Sequence, residues 1–573
     1  MAGMGLLVAG IDIALPLITA GLIDGAAAGT PLRQLARYGV AYLGLLVLLS
    51  AGIYAFIVFA GRISTGMAHD LRREGFARLQ RLSMSFYDTN PVGWLVARLT
   101  SDCAKVSGLL PWLLLDMVWG SALLVGIAIA MLWLDASLAL VVLLVVPPLV
   151  LVSFAFQRLI LESSRQVRRT NAQITASFNE SIAGVRTTKA LAREAANLEE
   201  FQVRSTEMFQ HSMRNALQSA IYLPLVMLLG SVGAGLALWR GGLAVSDGLS
   251  LGTLVAFMQY AALFSMPIQD MARQLTQMQA AQAAAERVQG LLETVPRIQD
   301  PEQPVVPQLS ELQPIHSITF DAVHFSYKAE DPVLTGCSFS VRGGQTVALV
   351  GPTGGGKSTI VKLLARFYDV NGGSIQIDGI DLRDLSLDWL SDQLAIVLQD
   401  PHLFSGTLAD NIRYGCLDAT DEQIRDAARL VHADRFIARL PQGYDTEVGE
   451  GGGRLSTGQR QLVSLARAIL ADPRIFVMDE ATSSVDTETE AAIQAGIDVL
   501  LRGRIAFVIA HRLSTIRSAD QILVVRGGKI AEHGDHASLM QRGGYYARLV
   551  AANTPQQRSD PRPDRVGGSP GAA

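Results

Sequence analysis

A glycine-rich segment near the middle of the chain has the residue types that bind phosphate. Residues 351–359 are Gly-Pro-Thr-Gly-Gly-Gly-Lys-Ser-Thr, between the apolar runs 346–350 and 360–364. This order predicts a strand, a loop that fits G-x-x-x-x-G-K-[ST], and a helix whose N-terminus faces the phosphates. In such a loop Lys357 reaches the outer phosphates of a nucleotide, and the hydroxyl of Ser358 holds Mg²⁺.

A pair of acidic residues ends a second apolar run. Residues 474–480 are Arg-Ile-Phe-Val-Met-Asp-Glu, a pattern typical of a buried parallel strand. Its carboxylates come at the C-terminal end of the strand, where open α/β sheets bind their ligands. Asp479 is predicted to join the Mg²⁺ shell, and Glu480 to orient and deprotonate an attacking water.

The elements that position these residues form only the second half of the chain. The chain has 573 residues, 17% of them charged, and a mean hydropathy of +0.29, which is too apolar for an ordinary soluble protein. Six apolar stretches, each near the ~20 residues that cross a bilayer, account for this value. They are 1–23, 38–60, 109–134, 138–156, 220–238 and 249–266.

Loop charge predicts the orientation of these six stretches. Segments 61–108 and 157–217 carry seven and nine Lys or Arg residues, whereas 24–37 carries two, 135–137 none and 239–248 one. The positive-inside rule puts the two basic segments, the N-terminus and everything after residue 266 in the cytoplasm, in a multi-pass protein of the cell's inner (plasma) membrane. The first stretch is interpreted as a span rather than a cleaved signal peptide, since it lacks a basic leader.

The two basic segments are predicted to be helical extensions of the spans. Each has a break near its middle, at Tyr87–Gly93 and at Ala183–Gly184, which predicts a short transverse segment. Prolines cluster between residues 296 and 314 and predict a linker. The domain prediction is therefore 1–293 membrane domain, 294–315 linker, 316–553 nucleotide-binding domain and 554–573 disordered tail. The three scattered cysteines predict no disulfide framework, and a net charge of −4 argues against nucleic-acid binding.

The whole pattern resembles the ATP-binding-cassette (ABC) family. The glycine loop corresponds to its Walker A motif, 474–480 to its Walker B motif, and Leu455-Ser-Thr-Gly-Gln459 to its signature motif. The six-span half is similar to exporter (type IV) membrane domains of the multidrug and lipid type, with 87–93 and 181–191 resembling the two coupling helices. The implied fold is multi-domain: an all-α six-helix transmembrane domain followed by an α/β P-loop NTPase.

The resemblance implies ATP and Mg²⁺ as cofactors and assigns a role to each matching residue. Glu480, the switch histidine His511 and the Q-loop Gln399 are the implied catalytic residues, and Ser358, Gln399 and Asp479 the implied metal site. The implied nucleotide-binding residues are Tyr327, which stacks on adenine, and Gly351, Pro352, Thr353, Gly354, Gly355, Gly356, Lys357, Ser358, Thr359, Ser456, Thr457, Gly458, Gln459 and Asp486. Residues 446–450 resemble the segment that contacts cytoplasmic loops in exporters.

One membrane half and one cassette imply a half-transporter, an ATPase that needs a second subunit. In the family, ATP is held between the Walker A loop of one cassette and the signature helix of the other, and closure moves the spans. Two departures leave a homodimer and a heterodimer both open. Thr457 stands where the family usually has Gly, and 450–453 lacks an Arg.

The cargo is the least determined part of the prediction. Asp12 and Asp116 lie within apolar stretches, where acids are costly, so they are candidates for attracting a cationic or amphipathic cargo or for facing water at span ends. ATP-driven export of a hydrophobic or amphipathic compound, drug or lipid-like, is the first hypothesis. Export of a specific peptide, siderophore or metabolite, import by an exporter-like fold, and a non-transporting regulator or channel are the alternatives.

Overall fold

A computed structural model describes residues 1–246, 248–307, 315–479, 487–510 and 512–553. It divides into two compact units. Unit 1 contains Met1–Arg81 and Asn90–Thr294. Unit 2 contains Leu82–Thr89 and the described residues from Val295 onward.

Long helices form unit 1. In chain order the helices up to residue 293 are α1 (Ala2–Ala27), α2 (Leu32–Arg81), α3 (Met84–Thr89, in unit 2), α4 (Val92–Ala97), α5 (Cys103–Leu134), α6 (Ala136–Leu143), α7 (Val146–Ala183), α8 (Val185–Ala190), α9 (Glu194–Ser246), α10 (Leu251–Leu263) and α11 (Ser265–Glu293), with a π-helical turn at Arg98–Asp102. Six helical segments of the described chain are long and apolar enough to span a bilayer: Ala2–Ala27, Leu32–Arg81, Val92–Leu134, Ala136–Ala183, Glu194–Ser246 and Leu251–Glu293. The predicted six-helix transmembrane domain is confirmed.

The breaks between these helices have local causes. Asp135 alone separates α5 from α6, and its Oδ1 accepts the N–H of Leu138 at 2.8 Å, which caps α6. The fourth predicted span is divided at Leu144–Val145 because Pro147 and Pro148 follow in the first turn of α7. The division between α10 and α11 likewise precedes a proline, Pro267, in the first turn of α11.

The two predicted breaks in the basic segments are present. Pro91 precedes α4 in an extended conformation and separates it from α3. Gly184 separates α7 from the short helix α8. The flanking helices α2 and α9 have 50 and 53 residues, or roughly 75–80 Å at 1.5 Å per residue, so each is far longer than a ~30 Å hydrocarbon core.

Close helix packing forms the core of unit 1. Phe257 and Tyr260 of α10 are fully buried among Leu123, Ile127 and other apolar residues. The Tyr260 hydroxyl donates to the carbonyl of Ile13 at 2.6 Å, which satisfies its polar tip. These aromatic residues therefore serve packing.

Unit 2 is a mixed α/β structure. Its strands are β1 (Ser317–Lys328), β2 (Asp331–Arg342), β3 (Thr346–Val350), β4 (Gly372–Ile377), β5 (Ile380–Asp381), β6 (Leu394–Val397), β7 (Ile475–Asp479), β8 (Ile505–Ile509), β9 (Gln521–Arg526) and β10 (Lys529–Gly534). Its further helices are α12 (Lys357–Leu364), α13 (Leu387–Gln393), α14 (Leu408–Arg413), α15 (Asp421–Leu430), α16 (Asp434–Ile437), α17 (Thr457–Leu470), α18 (Thr487–Leu501), α19 (Leu513–Ser518), α20 (His536–Arg542) and α21 (Tyr545–Asn553). Part of the predicted linker joins this unit, since Val305 donates its N–H to Asp384 O at 2.8 Å.

A six-stranded sheet carries the candidate site. Its order is β10-β9-β3-β8-β7-β6, with parallel pairing from β9 to β6, and a separate antiparallel sheet has the order β2-β1-β4-β5. Leu349 and Asp479 both pair with Ile509. The carboxyl ends of β3, β8 and β7 therefore lie level along one edge.

The two faces of this sheet bury different helices. Val347 and Leu349 of β3 pack in one cluster with apolar residues of α12. Ala348, on the opposite face, packs in another cluster with residues of α17 such as Leu462. Because side chains alternate along a strand, α12 and α17 lie on opposite faces of the sheet.

Candidate functional site

The loop after β3 has a backbone that only glycine can form at two positions. Gly351 has φ +146°, and a Cβ there lies 2.2 Å from the carbonyl oxygen of Val525. Gly356, just before α12, has φ +105°, and a Cβ there lies 2.8 Å from a methyl of Leu334. The loop thus packs tightly against its neighbours. The first N–H groups of α12 have no acceptor within the helix, and helix N-termini of this kind bind anions in many proteins.

Lys357 is held against this loop. Its side chain is buried, with 8% exposure, and Nζ donates to the carbonyls of Gly351 and Pro352, each at 2.9 Å. Burial lowers the pKa of the Lys357 ammonium from its ordinary value, and the negative charge of Asp479 acts in the opposite direction. An ammonium has three N–H donors, so one remains for a phosphate oxygen.

Two of the three predicted metal ligands, Ser358 on α12 and Asp479 on β7, lie at the same edge of the sheet. Ser358 is exposed at the start of α12. Asp479 is half-buried at the C-terminal end of β7, and its charge acts on Lys357. A hydroxyl and a carboxylate beside a phosphate-binding loop are the oxygen ligands that Mg²⁺ takes together with substrate phosphates.

Gln399 lies at the same edge of the sheet. It is exposed two residues after β6, whose Val397 pairs with Met478 of β7. The carboxyl ends of β3, β6 and β7 therefore lie along the same edge of the sheet, where parallel sheets bind ligands.

Tyr327 lies beside the first turn of α12. Its hydroxyl and Thr359 Oγ1 are 3.3 Å apart, and Thr359 is buried. The ring is 43% exposed, with its inner side against Phe325 and Tyr368 at centroid distances of 4.9 and 5.2 Å. An aromatic face next to the phosphate loop fits the predicted stacking on a nucleotide base.

The signature-like segment caps α17. Ser456 Oγ accepts the N–H of Gln459 at 3.2 Å, and Gln459 Oε1 accepts the N–H of Ser456 at 3.0 Å. Thr457 is exposed and its hydroxyl accepts from Arg460 at 3.2 Å, while Gly458 is buried. This helix start belongs to the face opposite α12, so the structure does not bring Ser456, Thr457, Gly458 and Gln459 to the phosphate loop of the same chain.

Three predicted site residues lie outside the described residues. They are Glu480, Asp486 and His511. Among the residues that the structure does describe, no group of three or more His, Cys, Asp or Glu side chains could hold a metal ion. The individual roles assigned to the site residues stay predictions.

The two acids that the sequence singled out within apolar stretches, Asp12 and Asp116, both accept hydrogen bonds. Asp12 Oδ2 accepts from the indole N–H of Trp119 at 3.1 Å, and Asp116 Oδ2 accepts from Gln274 Nε2 at 2.6 Å. Gln274 was missed by sequence reasoning. No local pattern indicates this contact, since Asp116 lies 158 residues earlier in the chain and on another helix.

Two family models match most of the chain. The model described as ABC transporter transmembrane region matches residues 3–268. The model described as ABC transporter matches residues 334–483, which contain the phosphate loop, Asp479 and the start of α17.

Relatives are similar along both halves. The chain is 38% identical to the uncharacterized ABC transporter ATP-binding protein YknV of Bacillus subtilis over 89% of this chain and 84% of the relative. It is 37% identical to an ATP-dependent lipid A-core flippase of Desulfotalea psychrophila, over 87% and 86%, and 38% identical to a fatty acid ABC transporter ATP-binding/permease protein of Mycobacterium bovis, over 84% and 76%. A solved structure of a bacterial Atm1-family ABC exporter with ATP bound matches with a TM-score of 0.80 at 29% identity, over 97% of each chain.

Proposed function

This chain belongs to the ABC transporter family, and on that premise we propose that it is one half of a dimeric exporter that uses ATP hydrolysis to move a hydrophobic or amphipathic compound. The proposal of a dimer is supported by the positions of α12, which follows the phosphate loop, and α17. The phosphate loop and the start of α17 lie on opposite faces of the sheet. A nucleotide in the loop is therefore covered by α17 only if that helix comes from a second subunit.

The residues of the site fit ATP and Mg²⁺. Glycine at 351 and 356 lets the loop pack closely against Val525 and Leu334, and Lys357 and the first N–H groups of α12 supply donors for phosphate oxygens. Ser358, Asp479 and Gln399 are proposed to hold the metal, with Tyr327 against the base. When bound, Mg-ATP supplies the phosphoanhydride whose cleavage drives transport.

Glu480 and His511 complete the proposed chemistry. Glu480 follows the strand that ends in Asp479, so its carboxylate is proposed to orient a water and accept its proton. His511, two residues after β8, is proposed to contact the outer phosphate from the neighbouring strand end. Ser456, Thr457, Gly458, Gln459 and Asp486 are proposed to act on the site of the other subunit.

The long helices of unit 1 supply the proposed link to the membrane. α2 and α9 exceed the thickness of the hydrocarbon core, so part of each projects from it. We propose that the basic segments and unit 2 lie in the cytoplasm. Movement of the subunits on ATP binding is then proposed to reach the membrane spans through these projecting parts of the helices. The names of the flippase and fatty acid transporter relatives support an apolar class of cargo.

The test is the Glu480→Gln variant of the full chain in lipid nanodiscs. ATP turnover is expected to fall at least about 100-fold, the usual contribution of a general base, while ATP binding persists. The matched control is Glu488→Gln, which removes an exposed acid on α18 and keeps full turnover. Unchanged ATPase activity in Glu480→Gln would contradict the proposed mechanism.

A further inference from the structure

Three aromatic rings of unit 2 meet behind the proposed base site. The centroid of Tyr327 lies 4.9 Å from that of Phe325 and 5.2 Å from that of Tyr368, and the last two are 5.6 Å apart. The ring planes meet at 86°, 89° and 63°, which is the edge-to-face arrangement that aromatic pairs prefer. Phe325 and Tyr368 are buried, whereas Tyr327 is partly open. Two buried rings therefore support the ring that can face a ligand.

The hydroxyl of Tyr368 binds a residue from a distant part of the chain. It donates a hydrogen bond to Oδ2 of Asp88, on the short helix α3. A hydrogen bond from a hydroxyl to a carboxylate is charge-assisted and stronger than one between neutral groups. Burial, and after it the bond to Asp88, raises the pKa of Tyr368, so this hydroxyl keeps its proton at neutral pH.

The backbone around Tyr368 is held independently of this bond. The buried guanidinium of Arg366 donates to Asp369 Oδ1 at 3.3 Å and to the carbonyl of Leu385 at 2.9 Å. Losing the bond to Asp88 therefore leaves the chain in place and frees only the ring of Tyr368 to turn. Because edge-to-face contacts depend on the angle between the rings, a turn of this ring changes the support of Tyr327.

Tyr327 thus connects two elements of unit 2. On one side its hydroxyl lies 3.3 Å from Thr359 Oγ1, and the Nζ of Lys362 lies 5.4 Å from its ring centroid, both on α12. On the other side Tyr368 connects it to α3. The segment that contains α3, Leu82–Thr89, is part of unit 2, but the residues before and after it belong to unit 1. The ring therefore lies between the phosphate-binding helix and a segment that continues into unit 1.

We propose that Asp88 and Tyr368 are positioning residues that hold Tyr327 in the orientation that stacks on the base of a nucleotide. This inference rests on the proposed function, because it concerns the base of the nucleotide in that site. The phosphates are bound by Lys357 and the glycine loop, so their affinity does not depend on these two residues. The affinity for the base does, and it therefore depends on where α3 is held.

The test compares two ligands that share a diphosphate and differ in the base. ADP is titrated against the full chain in lipid nanodiscs with Mg²⁺, and inorganic pyrophosphate is measured by its displacement of radiolabelled ADP. Tyr368→Phe and Asp88→Ala are each expected to weaken ADP binding roughly threefold to tenfold, the range of an aromatic contact, and to leave pyrophosphate binding unchanged. Asp88→Asn is expected to retain ADP binding, since its amide oxygen also accepts a hydrogen bond.

Two further variants distinguish positioning from a general loss of structure. In a Tyr327→Leu background, Tyr368→Phe is expected to have no further effect on ADP, because the ring that it positions is absent. Asp418→Ala, which removes an exposed acid between α14 and α15, is the control and is expected to match the unaltered chain.

Three results would overturn the inference alone. They are ADP binding within twofold of the unaltered chain in both Tyr368→Phe and Asp88→Ala, an equal loss for ADP and pyrophosphate, and a full further loss in the Tyr327→Leu background. If Tyr368→Phe does not fold, the pair Asp88→Ala and Asp88→Asn decides the question, because it changes only an exposed side chain. Failure of the unaltered chain to bind ADP would instead overturn the proposed nucleotide site, and this inference with it.

Discussion

Replacing Lys357 by Met separates nucleotide binding from protein stability. The ammonium donates two hydrogen bonds at 2.9 Å to loop carbonyls and retains one N–H for phosphate. A hydrogen bond that involves a charged group contributes about 1.5–3 kcal/mol, so its loss weakens ATP binding roughly 10- to 150-fold. The loss of the two bonds to the loop is offset by release of a buried charge, so the stability without nucleotide changes by only about 1 kcal/mol.

Two measurements on the full chain check this pair of magnitudes. Equilibrium titration with a non-hydrolysable ATP analogue gives the affinity, and thermal unfolding without nucleotide gives the stability. Lys529→Met, an exposed lysine on β10, is the control and is expected to leave both values unchanged. An affinity within twofold of the unaltered chain, or an affinity loss matched by collapse of the nucleotide-free Tm, would refute the reasoning.

Three further predictions concern the same site. Gly356→Ala forces φ +105° on alanine and a Cβ 2.8 Å from Leu334, so it is expected to destabilise unit 2 by about 1–3 kcal/mol, measured as a fall in Tm of roughly 2–4 °C per kcal/mol. The second prediction uses a chain without its native cysteines, in which one copy carries Thr353→Cys and another copy carries Ser456→Cys. When ATP is bound, a disulfide is expected to form between the two copies, and a gel of the mixed single variants will show it. No disulfide is expected within a single chain that carries both substitutions. The lowered pKa of Lys357 means that the unfolded chain holds this proton at a pH where the folded chain has released it. The free energy of unfolding without nucleotide should therefore rise with pH between the pKa of Lys357 in the folded chain and its pKa in the unfolded chain. Over the same pH range the affinity for ATP should fall, because the ammonium charge is lost. Both pH dependences should disappear in the Lys357→Met variant.

Short sequence patterns predicted most of the loops and helix breaks that depend on neighbouring residues. The spacing of the glycines, Lys357 and Ser358 predicts strand, loop and helix, because the loop conformation depends on residues adjacent in sequence. The predicted breaks at Pro91 and Gly184 are present for the same reason. The split at Leu144–Val145 follows from prolines that the hydropathy pattern alone does not weigh.

Non-local pairing could not be read from the sequence. The residues of β3, β7 and β8 are buried on both faces, so their runs have no alternation that indicates which helix covers which face. The bond between Asp116 and Gln274 joins residues 158 positions apart, and only the packing of α5 on α11 brings them together. The resemblance to a family supplied the roles of the site residues, and the described geometry supplies their neighbours.

The sheet that separates α12 from α17 has a genetic consequence. If two copies of this chain pair, a subunit damaged at Ser456 keeps its own phosphate loop but disables the one it faces. If transport requires both sites of a pair, co-expression of damaged and intact copies should then lower transport more steeply than the share of damaged chains, because a mixed pair keeps only one working site. Such an allele would behave as dominant negative.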